Sequence, residues 1–419
     1  MKKIVIVQVY NANKGNNSVV HAMINSMRED IPCSKFAVTA YDSILGAKDY
    51  GVECAECLLN FYRIKTASGL LSKIFYSLLE GTLLAYSFFW LIFYRIGIRL
   101  PLPDAKRKTI NIYLAGDVFV LPGGHSFTSL NSFSQNLSHC LGLFFAIALN
   151  KKSMVYAQTI GPFFGRFAWI VRFMSLFVLK RVDVISVREK DSLRWRKELP
   201  GIELTAETVF MLDRYVSDER LPGEFLQLRQ QNRCLIGLTI HHLYFRRYFS
   251  KREYVKLMAN IIDRILEKIE GKLVIIPMEN AYSHGGDRPI AHEIIALLKH
   301  HNRTVILEGD HDPIITSSII RKLDLFIGTK THSIVYGLKA CVPTLAIAYQ
   351  QKSNEFMEMF RVSENAINLK DLAGDRFMKI FNSMINNLDA IRLHEESALV
   401  SVREAACKNN VLLAKLLAT

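Results

Sequence analysis

Short apolar runs, each closed by a polar loop and followed by a stretch with helical spacing, recur along most of the chain. The first is KKIVIVQVY, continuous enough for a strand buried on both faces, after which NANKGNNS leads into the amphipathic SVVHAMINSM. The rhythm returns in DVFVLPGG before FSQNLSHCLGLFFAIAL, in SMVYAQTIGP, and in VDVISVRE before DSLRWRKEL. Strands alternating with helices predict parallel sheets covered by helices, since a parallel crossover needs a dozen or more residues. Between Asp213 and Asn232 the pattern lapses into YVSDERLPGEFLQLRQQN, rich in charge and carrying a Pro-Gly pair. A second series then runs through RCLIGLTI, REYVKLMANIIDRILEKI, KLVIIPM, a helix beginning near Pro289, RTVILEG and LDLFIG, and after about residue 370 the pattern is helical throughout. The fold expected is α/β, with two Rossmann-like domains whose parallel sheets face a central cleft. The domains are residues 1–213 and 233–419, joined by 214–232. The last helix is counted with the second domain, although the architecture leaves room for it to cross back to the first.

Residues 72–102, SKIFYSLLEGTLLAYSFFWLIFYRIGIRLPL, break this rhythm. Glu80 and Gly81 interrupt the apolar run and leave about a dozen strongly apolar residues, fewer than the ~20 of a spanning helix. Two readings stand. Tyr76, Tyr86, Phe88, Phe89, Trp90, Phe93 and Tyr94, followed by Arg95, Arg99, Lys106, Arg107 and Lys108, suit a helix lying in an anionic membrane interface. The same run also suits a long buried helix of the first domain.

Composition changes the picture in three respects. At 419 residues, 50% apolar and 22% charged, the chain has enough material for two cores and is not a disordered polymer. Its formal net charge of +14 calls for anionic partners: a phosphorylated substrate, a nucleic acid or an acidic membrane. No RNP or KH pattern accompanies that charge, so nucleic acid ranks last. Seven scattered cysteines fit a reducing, cytoplasmic compartment better than a disulfide framework. Cys54 and Cys57 form a lone CxxC without further ligands at metal spacing, so they read as core or loop thiols and no metal is expected.

Candidate chemistry gathers where strands end. In GTKTHSIVYGLKACVPTLAIAYQQK, residues 328–352, Lys330, His332 and Ser333 fall on the loop and first turn after the strand LDLFIG, where helix N–H groups favour anions. The next parallel strand, TLAIAY, delivers Lys352 to the same edge. In the first half, Gly123 and Gly124 follow DVFVLP and permit close backbone approach, with His125 next. Asn11, Asn13, Gly15, Asn16 and Asn17 crowd the first strand-to-helix loop, and Arg188 closes the strand DVISV, from which it reaches toward the cleft. Neither GxGxxG nor GxxxxGK[ST] is present, so no dinucleotide or P-loop site is indicated.

Taken together, these segments resemble the polysaccharide pyruvyl transferase family over nearly the whole chain. YNANKGNNSVV is similar to the family's asparagine-glycine opening, DVFVLPGG to its Asp-to-Gly-Gly strand, and AQTIGPF with ISVREKDS to its GP turn and arginine-serine segment. The most specific likeness is that of residues 328–352 to its Arg-x-His-Ser segment, small-residue helix, proline strand and closing lysine. The resemblance implies a GT-B-like fold and transfer of a pyruvyl group from phosphoenolpyruvate to a sugar, with no organic or metal cofactor. It implies His332 as the catalytic acid, and Arg188, Lys330, Ser333 and Lys352 on the donor. Asn13, Gly15, Asn16, Gly123, Gly124 and His125 are placed on the acceptor or cleft side. Lys330 stands where the family usually has arginine, and a lysine lacks the bidentate fork that suits a carboxylate. Glu207 stands where aspartate is more frequent. A lipid-linked sugar acceptor would give residues 72–102 a purpose at the inner face of the cytoplasmic membrane. A GT-B-like glycosyltransferase using a nucleotide sugar is the alternative activity.

Overall fold

A computed structural model describes all 419 residues except 12–13, 213–214, 242–245, 247, 280–285, 310 and 350, and the side chains of 14 and 351. The chain divides into two compact units, one of residues 1–12, 16–212 and 404–419, the other of 13–15 and 213–403.

The first unit is built on a parallel sheet of β1 (Lys3–Val9), β2 (Lys35–Ala40), β3 (Glu53–Glu56), β4 (Val118–Leu121), β5 (Gly124–Phe127), β6 (Lys152–Ile160), β7 (Val184–Val187) and β8 (Glu203–Leu204). Its order is β3-β2-β1-β4-β6-β7-β8, with β5 also pairing with β6. The second unit carries β9 (Cys234–Leu238), β10 (Gly271–Ile275), β11 (Thr304–Ile306), β12 (Leu325–Gly328), β13 (Thr344–Ala348) and β14 (Ala366–Asn368), in the order β11-β10-β9-β12-β13-β14. Its described pairs are all parallel. Continuous apolar strands such as LFIG and TLAIA are buried along their whole length because helices cover both faces. In each sheet the strand order reverses beside the unit's first strand, between β1 and β4 and between β9 and β12. Open α/β sheets offer their ligand crevice at such a reversal, outside the carboxyl ends of the strands.

Two expected boundaries differ in detail. The stretch read as a linker contains the helix Gly223–Gln231, which buries Phe225. The last helix, Leu388–Ala418, is divided, its residues from Glu404 onward belonging to the first unit. There Tyr156 and Ser186 each donate a hydrogen bond, to the Asn410 and Asn409 side-chain oxygens. These polar pairs fix residues that a hydropathy pattern does not assign to either unit.

Within the second unit, Glu395 of that helix is buried and accepts a hydrogen bond from Thr344 N at 3.3 Å. Burial pushes its carboxyl well above the ordinary 4.5. The folded state therefore keeps a proton that the unfolded chain sheds as pH rises past 4.5, and stability falls progressively above that point. Glu395→Gln retains the acceptor and removes the titration. It is expected to melt above the wild type at neutral and alkaline pH and to match it below pH 4.5, as checked by thermal unfolding across pH. A wild-type excess at alkaline pH would contradict this sign.

Candidate active site

The β9/β12 reversal is where the second unit assembles its chemistry. Thr239, just beyond β9, is hydrogen-bonded through Oγ1 to Ser333 Oγ at 2.9 Å and receives Thr329 N at 2.9 Å. Ser333 Oγ in turn accepts from Lys330 N and donates to Lys330 O. These bonds clamp the first turn of the helix Thr331–Lys339 to the neighbouring strand, satisfying N-terminal groups that would otherwise lack partners. Ser333, expected on the donor, is fully buried inside the clamp and shapes the turn.

His332 is the second residue of this helix and is half-buried. Gly15 groups with the same unit, and a Cβ there would overlap the His332 side chain, so glycine leaves the ring its space. Asn13 lies outside the described residues. The helix Gln351–Met359 starts at the end of β13 and is tied to the 331–339 helix by Thr331 and Ser353, whose hydroxyls are 3.3 Å apart. Half-buried Lys352 thus reaches the same carboxyl edge as His332.

Lys330 has partners that sequence reasoning missed. Its ammonium is 3.0 Å from Glu279 Oε2 and 2.9 Å from Asp287 Oδ1, and Asp287 Oδ2 accepts the backbone N–H groups of Met278 and Glu279. Two carboxylates answer this one cation within the second unit. Asp287 is fully buried, so Lys330→Met should cost roughly 3–5 kcal/mol of stability by removing the cation at 2.9 Å from a buried carboxylate. Denaturant unfolding checks this, and an unchanged midpoint would return Lys330 to a ligand role. His241, beyond β9, was also missed; its ring meets that of Tyr349 edge-on at 5.0 Å. Its only sequence signal was a histidine after an apolar strand.

At the β1/β4 reversal of the first unit, Asn11 bridges to the backbone of Asp42 and Asn17 donates to Asp49 at 2.9 Å, while Asn16 is half-buried. Gly123 is hemmed in by Ala157 O and the Thr208 hydroxyl, so its missing side chain serves packing against the protein itself, whereas Gly124 has more room. The buried Gln158 side chain holds the turn by donating to Pro122 O and accepting from Ser126 N. His125 is half-buried, and its Nδ1 lies 2.8 Å from Arg188 Nη2. An arginine only donates, so His125 accepts at Nδ1 and carries its neutral-form proton on Nε2.

Arg188 itself is only 1% exposed. Its guanidinium donates to Thr159 Oγ1 at 3.2 Å and to Glu207, with Glu189 Oε2 at 3.5 Å. Glu207 and Glu189 answer the charge of Arg188 within the first unit, and its contact with Nδ1 orients the His125 ring. Cys54 and Cys57 are buried, and burial pushes the Cys54 thiol up to about 12 and the Cys57 thiol well above its usual range, as suits core thiols. Among the described residues, no three histidine, cysteine, aspartate or glutamate side chains are gathered as a metal would need.

Comparison with known proteins sets this geometry in context. The family model described as polysaccharide pyruvyl transferase matches residues 58–351. The amylovoran biosynthesis protein AmsJ of Erwinia amylovora is 22% identical over 333 residues, 76% of each chain. Solved structures share the fold at low identity. A UDP-GlcNAc 2-epimerase from Neisseria meningitidis, bound to UDP-GlcNAc, aligns at 11% identity over the whole of both chains with a TM-score of 0.61. HepE of Anabaena, in complex with UDP and glucose, aligns at 12% identity over the whole of both chains with a TM-score of 0.54. The fold is thus of the GT-B-like class of glycosyltransferases and epimerases.

Proposed function

Because the chain belongs to the polysaccharide pyruvyl transferase family, a family of transferases in polysaccharide biosynthesis, we propose that it moves a pyruvyl group from phosphoenolpyruvate onto a sugar of a cell-surface or exopolysaccharide glycan. The product is a cyclic pyruvate ketal. One observation carries the reading: His332 stands in the first turn of a nine-residue helix at the β9/β12 reversal, with Lys352 on the same edge. A helix N-terminus and a lysine suit an anionic donor, and an imidazole in that first turn suits delivery of a proton.

In this scheme His332 protonates the methylene carbon of phosphoenolpyruvate. A sugar hydroxyl adds to the electrophilic C2 and its proton returns to the imidazole. A second hydroxyl then displaces phosphate from C2, its proton leaving with the phosphate. Two C–O bonds form, one C–O bond to phosphate breaks, and no redox partner is consumed. The general acid contributes a factor of about 10²–10⁴, and Lys352 with the helix N-terminus holds charge as the phosphate departs. The acceptor we favour is a lipid-linked sugar, handled in the cytoplasm.

A nucleotide sugar as donor is the second reading, favoured by the UDP-GlcNAc and UDP bound in the two similar structures named above. Thermal-shift titration separates the readings. Stabilisation by phosphoenolpyruvate, with phosphate released only when a sugar acceptor is added, supports pyruvyl transfer; stabilisation by UDP-sugars alone supports glycosyl transfer.

A further inference from the structure

Residues 70–95 form one helix, Leu70–Arg95, long and apolar enough by composition to cross a membrane, yet fastened to the first unit along one side. Glu80, at its middle, is fully buried and pairs with Lys106 at 3.0 Å and with Arg63 at 3.4 Å. Ser87, Trp90 and Leu91 are buried on the same side, and Trp90 donates to Leu100 O. The inner face of the helix is core and Lys106 is inside the protein, while the outer face is bare. Leu71, Ile74, Phe75, Leu78, Phe89 and Ile92 are all exposed.

A second bare element was not legible as such. The helix Ala168–Leu179 and the turn before it expose Phe164, Phe167, Phe173 and Phe177, and Trp169 is 71% exposed. Aromatic contacts show that both elements flank the helix Phe133–Ala148. Phe88 stacks on Phe144 at 6.3 Å, Phe144 meets Phe177 at 5.6 Å, and Phe133 meets Phe167 at 6.4 Å. The exposed side chains therefore belong to adjoining helices on one side of the sheet. An apolar face of this extent on a folded chain marks an interaction surface.

Charge selects the partner. Across residues 70–99 the only carboxylate is the buried Glu80, beside Lys73, Arg95 and Arg99; across 161–182, before Asp183, there is none, beside Arg166, Arg172, Lys180 and Arg181. Arg99 lies over the Tyr94 ring at 4.3 Å and Arg181 over Phe177 at 3.8 Å, so cations rim the aromatic surface. We propose that the outer face of the 70–95 helix and the aromatic segment 164–177 together form one docking surface for an anionic lipid bilayer, in which the aromatics enter the interface while the arginines and lysines meet the headgroups. This surface stands independently of the reaction catalysed.

The test is flotation with vesicles of phosphatidylcholine alone or mixed with phosphatidylglycerol, read together with tryptophan fluorescence. The protein should float with the mixed vesicles and much less with the neutral ones, and high salt should release it. Its emission should shift to the blue, and Trp169→Phe should abolish most of the shift, because Trp90 is already buried and Trp195 is half-buried against Phe163 with its N–H on Ile160 O. Trp169→Ser with Phe173→Ser should weaken partitioning at least about tenfold, as burial of two large aromatics implies, without altering the melting temperature. Failure to float with either vesicle, or flotation unaffected by the double substitution, would overturn the proposal. So would sedimentation of a dimer that the same substitutions dissolve, since the face would then belong to a second copy.

Discussion

Replacing His332 with asparagine is expected to leave the melting temperature and phosphoenolpyruvate binding nearly unchanged while turnover falls at least about a hundredfold. The expectation follows from where the side chain stands. The backbone around it is fixed by the Thr239, Ser333 and Lys330 hydrogen bonds, none of which uses the imidazole, so the helix start survives the substitution. Asparagine keeps a polar group of similar reach but cannot deliver a proton at neutral pH. Steady-state kinetics beside thermal unfolding is the check. Near-normal turnover in a folded variant would move the acid role elsewhere, with His125 the next candidate.

Arg188→Met should cost roughly 3–5 kcal/mol of stability, because Glu207 would remain as a fully buried carboxylate without its cation. The paired change Arg188→Met with Glu207→Leu should recover much of that loss, since a buried ion pair replaced by apolar residues of similar volume is often close to neutral. Denaturant unfolding of the single and double variants measures both. A single variant as stable as the wild type and altered only in its Michaelis constant for the donor would show instead that Arg188 serves a ligand.

Much of the fold was legible because parallel strands buried on both faces write continuous apolar runs between helical stretches. The strand ends bearing His332, Lys352 and His125 could be located for the same reason, since each side chain follows directly on such a run. What the sequence could not show was the answer to each charge. Lys330 meets Glu279 and Asp287, Arg188 meets Glu207, and Lys106 meets Glu80, all pairs separated by many residues and joined only by tertiary packing. A cation near a strand end therefore reads as free in the sequence although its charge is already consumed in the fold. The exposed aromatics of 164–177 were hidden for a related reason: hydropathy marks a helix as apolar without telling which face is covered.

The central claim is that a pyruvyl group, and not a sugar, is transferred. Incubating the protein in heavy water with phosphoenolpyruvate labelled with carbon-13 at C2 and a panel of lipid-linked or nitrophenyl sugars, then reading the product by mass and carbon NMR, tests it most directly. Pyruvyl transfer gives a labelled ketal carbon on the sugar, phosphate released in equal amount, and a single deuterium in the new methyl group. Phosphoenolpyruvate left intact while the same acceptors gain a hexose from a UDP-sugar would contradict it.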